Sequence, residues 1–109
     1  NFSNNINLID SHQRNIIHLA AVFSCNFTNH MFTISQKLLE NSNIDFKILI
    51  PLIKQTILQI EKKHPSQLQT GPAARKDLKT IKNHLKSISD KEVKEIYHTL
   101  TNSIMNNEK

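Results

Sequence analysis

NIIHLAAVFSCNFTNHMFTISQ, running from Asn15 to Gln36, holds no Asp, Glu, Lys, Arg, Gly or Pro, in a chain that is 21% charged. At 100° per residue it reads as a helix with two faces. Ile16, Ala20, Phe23, Phe27, Met31, Ile34 and, just beyond, Leu38 form an apolar stripe. His18, Cys25, Asn26, Asn29 and Thr33, with Val22 among them, form the opposite stripe. A surface helix ordinarily carries Lys and Glu on its outer side. Neutral hydrogen-bonding groups there suit a helix covered on both sides. Its own domain would cover one, and a second subunit, another domain or a ligand the other.

Asp10 or Ser11 supplies an N-cap ahead of this stretch, and the helix is predicted to run to about Glu40. That is roughly 30 residues, or ~45 Å at 1.5 Å per residue. Upstream, Asn1–Ile9 is Asn-rich and aperiodic, and the chain opens on Asn rather than Met. Residues 1–9 therefore read as a linker or the tail of a missing upstream element, and 10–109 as one helical domain.

Downstream, Asn41-Ser42-Asn43 is a turn, and Asp45 can cap a helix over FKILIPLIKQTILQIEKKH. Phe46, Leu49, Ile53, Ile57 and Ile60 mark its buried stripe. Pro51 predicts a kink, or a short turn before the main helix. Lys62, Lys63 and His64 complement the helix end, and Pro65 stops it. Thr70-Gly71-Pro72 predicts a tight turn, in which Gly71 takes φ > 0 and Pro72 starts a helical turn. Asp77 caps a helix from Leu78 to about Ile88, with Leu78, Ile81, Leu85 and Ile88 buried. Ser89 followed by Glu92 fits a capping box. A last helix from Asp90 to about Met105 buries Val93, Ile96, Tyr97, Leu100 and Ile104, and the tail Asn106–Lys109 frays.

The fold class is therefore all-α, about five helices with a long first one. One Gly and three Pro argue against a turn-rich β sandwich. Cys25, the single cysteine, cannot form an internal disulfide and reads as a buried thiol in a reducing, cytoplasmic setting. No secretory signal is visible, and no run is apolar enough to span a membrane. The net charge of +5 is uneven, with Arg14 the only Lys or Arg ahead of Lys37. The lysines are dispersed among Glu and Asp without interleaved aromatics, so they read as solvated faces, not a nucleic-acid or membrane surface.

Catalytic motifs are missing. The six histidines include no pair three or four apart, so no metal site is read. There is no G-x-S-x-G elbow, and one Gly excludes a phosphate-cradling loop. Cys25 as a nucleophile lies two helical turns from His18. What remains is the neutral stripe of His18, Asn26, Asn29, His30 and Thr33. It can hydrogen-bond a substrate in a cleft, or satisfy itself across a helix–helix interface.

Two segments carry a resemblance: HLAAVFSCNFTNH, His18 to His30, and QTGPAARKD, Gln69 to Asp77. They resemble signatures of an uncharacterised bacterial family labelled as NADP oxidoreductases. In it a Rossmann domain precedes an all-helical C-terminal domain of unknown function. The layout is similar to pyrroline-5-carboxylate reductase and to the 6-phosphogluconate and β-hydroxyacid dehydrogenases. The likeness covers roughly Asp10 to Ile104.

It implies a 6-phosphogluconate-dehydrogenase-like helical dimerisation domain, whose long first helix lines the cleft facing the nicotinamide. The partners implied are a second copy and an upstream Rossmann domain, which would hold the NAD(P); no cofactor is implied for this segment. By the same resemblance His18, Ser24, Asn26 and His30 become substrate-facing candidates. Thr70, Gly71, Arg75 and Asp77 become the loop that closes or braces the cleft. The catalytic Lys of the better-known relatives has no counterpart between Asn15 and Gln36, so no catalytic residue is assigned. The competing expectation is a helical interaction module with no catalytic part.

Overall fold

The computed structural model describes residues 8–107, all helix, turn and loop with no strand among them. The chain divides into two compact units, Asn1–Ile48 and Leu49–Lys109. Among the described residues five α-helices follow in order, with a 3₁₀ helix, Pro65–Gln67, in the connection between the second and third. The linker expected over residues 1–9 falls almost wholly outside the described residues.

The first unit is one long helix, α1, and the turn that follows it. α1 is continuous through three segments: α-helical Ser11–Ala21, π-helical Val22–Phe27 and α-helical Thr28–Glu40. Asp10 caps it with a full capping box. Its carboxylate accepts from the Gln13 backbone N–H at 2.7 Å, and the Gln13 side chain accepts from the Asp10 N–H at 3.0 Å.

The π segment changes the reading of the faces. Its hydrogen bonds reach five residues instead of four, so it holds one residue more than an α turn. The Thr28 hydroxyl follows the same reach and donates to the Phe23 carbonyl at 3.3 Å. A constant 100° per residue therefore fails at Val22. Ring packing of Phe23 on Phe27, with centroids 5.0 Å apart, joins the two ends of the segment.

No residue of α1 is buried. Of the expected apolar stripe, Met31 and Ile34 are half-buried, while Ile16, Ala20, Phe23, Phe27 and Leu38 are exposed. Cys25 is exposed as well, not the buried thiol expected. The reason is local. Among the described residues of this unit, the cover for α1 is the turn after it, which folds back on the C-terminal half. Ile44 N–H bonds the Leu39 carbonyl at 2.9 Å, and Phe46 lies against Phe32.

A 3₁₀ turn, Phe46–Leu49, precedes α2, Ile50–Gln59. Asp45 caps that turn, accepting from Lys47 N–H at 2.9 Å. Pro51 falls in the first turn of α2, where a missing N–H leaves no bond unmade, so there is no kink. α2 ends earlier than expected. Lys62, Lys63 and His64 lie beyond it in a run of turns. Phe46, Leu49 and Ile53 are half-buried as their stripe requires, but Ile57 and Ile60 are exposed.

The second unit's core is built on one short helix. Gly71 at φ +97° and ψ 174° turns the chain, in a region closed to side-chain-bearing residues. A Cβ there would meet no neighbouring atom, so conformation and not space demands the glycine. Pro72 then opens α3, Pro72–Arg75, which packs on α4, Leu78–Ser87, and α5, Lys91–Asn107. Among the described residues, Ala73, Ile81, Ile88 and Thr101 are buried. Ile81 and Ile88 each contribute roughly 1.5–3 kcal/mol by leaving water.

Asp77 caps α4, accepting from Thr80 through both backbone N–H and hydroxyl, at 3.1 and 2.7 Å. His84 Nδ1 meets the Tyr97 hydroxyl at 2.8 Å and ties α4 to α5. Burial raises the Tyr97 phenol above its ordinary pKa. Leu78 and Leu100, expected inside, are exposed. Asp90, not Ser89, caps α5, accepting from Val93 N–H at 3.0 Å. The carboxylate sits three residues ahead of an open N–H, so Ser89 and Glu92 form no capping box. α5 continues to Asn107, past the Met105 end expected.

Candidate functional site

The site residues expected from the sequence fall into two groups, one in each unit. The first is on α1. In an uninterrupted α-helix each step of four residues advances about 40° around the axis, so three steps from His18 to His30 would spiral by about 120°. The extra residue of the π turn takes back about 100° of that. His18, Val22, Asn26 and His30 therefore share one line along the helix. Ser24 falls on a different side, beside Cys25, with the two side chains 3.7 Å apart. The structure thus keeps three of the four α1 candidates together and separates Ser24.

All four are exposed. The side chains of His18, Asn26 and His30 make no hydrogen bond among the described residues. Their hydrogen-bonding groups are open to whatever lies against α1 from outside. The hydroxyls of the same helix are engaged instead with its backbone. Thr33 donates to the Asn29 carbonyl and Ser35 to the Met31 carbonyl. Part of the neutral stripe is accounted for in that way.

The second group surrounds α3. Gly71 sets the turn, as described, and Asp77 is occupied by Thr80. Those hydrogen bonds from Thr80, helped by the nearby Arg75 guanidinium, hold the Asp77 carboxyl below its ordinary range against a smaller opposing effect of burial. Arg75 reaches Asp77 at 3.8 Å, a loose pair whose Arg side chain is 62% exposed. Thr70 is exposed and lines a concavity of about 430 Å³ with Gln55, Gln59, Ile60 and Leu68. The Gln55 and Gln59 amides were not singled out from the sequence. Their spacing, four apart on α2 and beside the loop carrying Thr70, is the signal that marks them.

Among the described residues no three His, Cys, Asp or Glu side chains converge to hold a metal ion. No described helix is long and apolar enough to cross a membrane.

Comparison with known proteins places this architecture. A solved structure, described as a putative NADP oxidoreductase from Bacteroides fragilis, superposes on the chain with a TM-score of 0.87 and 42% sequence identity. The match covers 90% of this chain and 38% of that one. The present chain thus corresponds to well under half of that protein, as a helical C-terminal domain would. No curated protein sequence matches the chain. The family model for a domain of unknown function, DUF2520, matches residues 1–104, and the chain belongs to that family.

Proposed function

We propose that this chain is the C-terminal domain of an NAD(P)-dependent oxidoreductase of the cytoplasm. In that enzyme it forms the homodimer and supplies one wall of the substrate cleft; on its own it is inactive. The observation that carries the reading is the likeness, at 42% identity, to part of a longer chain described as an NADP oxidoreductase. The charge-free stretch Asn15–Gln36 of α1, with much of its apolar stripe exposed, is what such a domain needs on the side that meets its neighbours.

The dinucleotide belongs to the upstream domain. A dinucleotide fingerprint needs a Gly-rich turn between a strand and a helix. This chain has one Gly, spent on the turn before a four-residue helix. Its residues do not fit the cofactor, and no step is derived through it. The work left to this chain is to bind and orient. His18, Asn26 and His30 can hydrogen-bond a polar group of the substrate along one line. Arg75, only loosely held by Asp77, can pair with an acidic group of the substrate. No Lys stands on α1 between Asn15 and Gln36, so proton transfer by a lysine of this helix is not part of the reading.

The test is Asn26→Ala in the full-length enzyme. Losing one neutral substrate hydrogen bond should lower turnover roughly three- to tenfold with the dimer mass unchanged. Turnover equal to wild type would favour the rival reading, a helical assembly module with no contact to substrate. That rival draws on the same exposure of Asn26 and His30.

A further inference from the structure

The register that lines up His18, Asn26 and His30 also lines up Leu19, Phe23 and Phe27. These are 51, 63 and 49% exposed, although two of the three are phenylalanines. Without the π turn the residues four apart would drift around the helix; with it they form a straight ridge. The edge-to-face contact of Phe23 on Phe27 holds two members of that ridge together.

We infer that a second copy of this chain covers the ridge with its own, and that the two-fold axis relating them passes beside the π turn, Val22–Phe27. The inference rests on the dimer reading and adds where the axis lies. Charge argues for a second copy over any other occupant. In a two-fold interface the residues near the axis face their own duplicates. A charge placed there would meet its like, which a partner of different sequence would avoid by complementing it. Asn15–Gln36 carries no charge at all, flanked by Arg14 on one side and Lys37 on the other. The π turn lies at the middle of that interval. A helix built to meet some other surface would gain specificity from charges, whereas one that meets itself must exclude them.

The experiment uses the full-length protein with Phe23→p-benzoylphenylalanine, irradiated and resolved by denaturing gel and peptide mass spectrometry. Light scattering gives the native mass in parallel. The expected result is a covalent dimer joined to residues 16–31 of the second copy, with Cys25→p-benzoylphenylalanine, on another side of the helix, giving little. A dimer by light scattering whose Phe23 probe captures only its own upstream domain, or a second copy outside α1, overturns the axis placement and leaves the dimer reading standing. A monomer at every concentration overturns the dimer reading itself.

Discussion

Asp77 shows how one residue can satisfy two readings at once. In QTGPAARKD it stood as a helix cap by position and as a cleft residue by resemblance. Its bonds to Thr80 account for the first. The carboxyl is held below its ordinary range, so the stability it contributes is complete above that range and lost as pH falls through the lowered value. Asp77→Asn keeps an oxygen that can still accept from Thr80 but removes the charge. The variant should melt below wild type at pH 7, and the gap should close as pH falls below about 4. A gap that persists unchanged in acid would mean that the charge of Asp77 contributes nothing to the fold. Gly71 and Pro72 likewise have conformational reasons to be where they are. Thr70 and Arg75 are the members of the loop that the fold leaves unused, and any contact with substrate rests on them.

Among the elements, the ends of helices were the most legible part of the sequence. Asp10 and Asp77 cap the helices they were expected to cap, and Asp45 caps the 3₁₀ turn ahead of α2 instead of the helix itself, because a carboxylate next to an open backbone N–H is a local arrangement. The exception is α5, where Ser89 and Asp90 compete and the aspartate wins. Asp90→Ala should cost about 1 kcal/mol and Ser89→Ala close to nothing in denaturant unfolding, since only one of them accepts from an amide. A larger loss at Ser89 would reverse the assignment. The π turn in α1 was not legible. Val22–Phe27 contains no Gly, Pro or charge that marks a break. An extra residue in one turn leaves composition unchanged and shows only as phase. It aligned His18, Asn26 and His30, whereas Ser24, six residues from His18, stands on another side of the helix at either pitch.

Over the whole molecule the informative quantity is what stays uncovered. Among the described residues no side chain is less than 2% exposed, and the buried set is Ala73, Ile81, Ile88 and Thr101, all in the second unit. Phe23, Leu52, Leu78 and Ile48 are each more than 60% exposed. Singly such residues are ordinary, but a contiguous exposed ridge such as Leu19, Phe23 and Phe27 is a patch that a partner can cover. If that partner is a second copy meeting across the charge-free stretch Asn15–Gln36, the native mass should fall with dilution at a midpoint nearly independent of salt, because screening acts only on charges. A midpoint that rises steeply with salt would point to the lysines of the C-terminal half as the contact instead.

The sequence by itself determined the all-α class, the number and order of helices, most of their caps and the turn at Gly71. Each of these follows from neighbours a few residues apart: periodicity, an N–H within reach of a carboxylate, a φ that only glycine adopts. Tertiary structure decided which apolar faces find cover and in what phase the side chains of α1 stand. Periodicity announces that a face is apolar, but the sequence carries no record of how much chain is present to lie against it. The stripe of α1 was therefore read as buried, whereas in this chain it stands open around a turn of altered pitch.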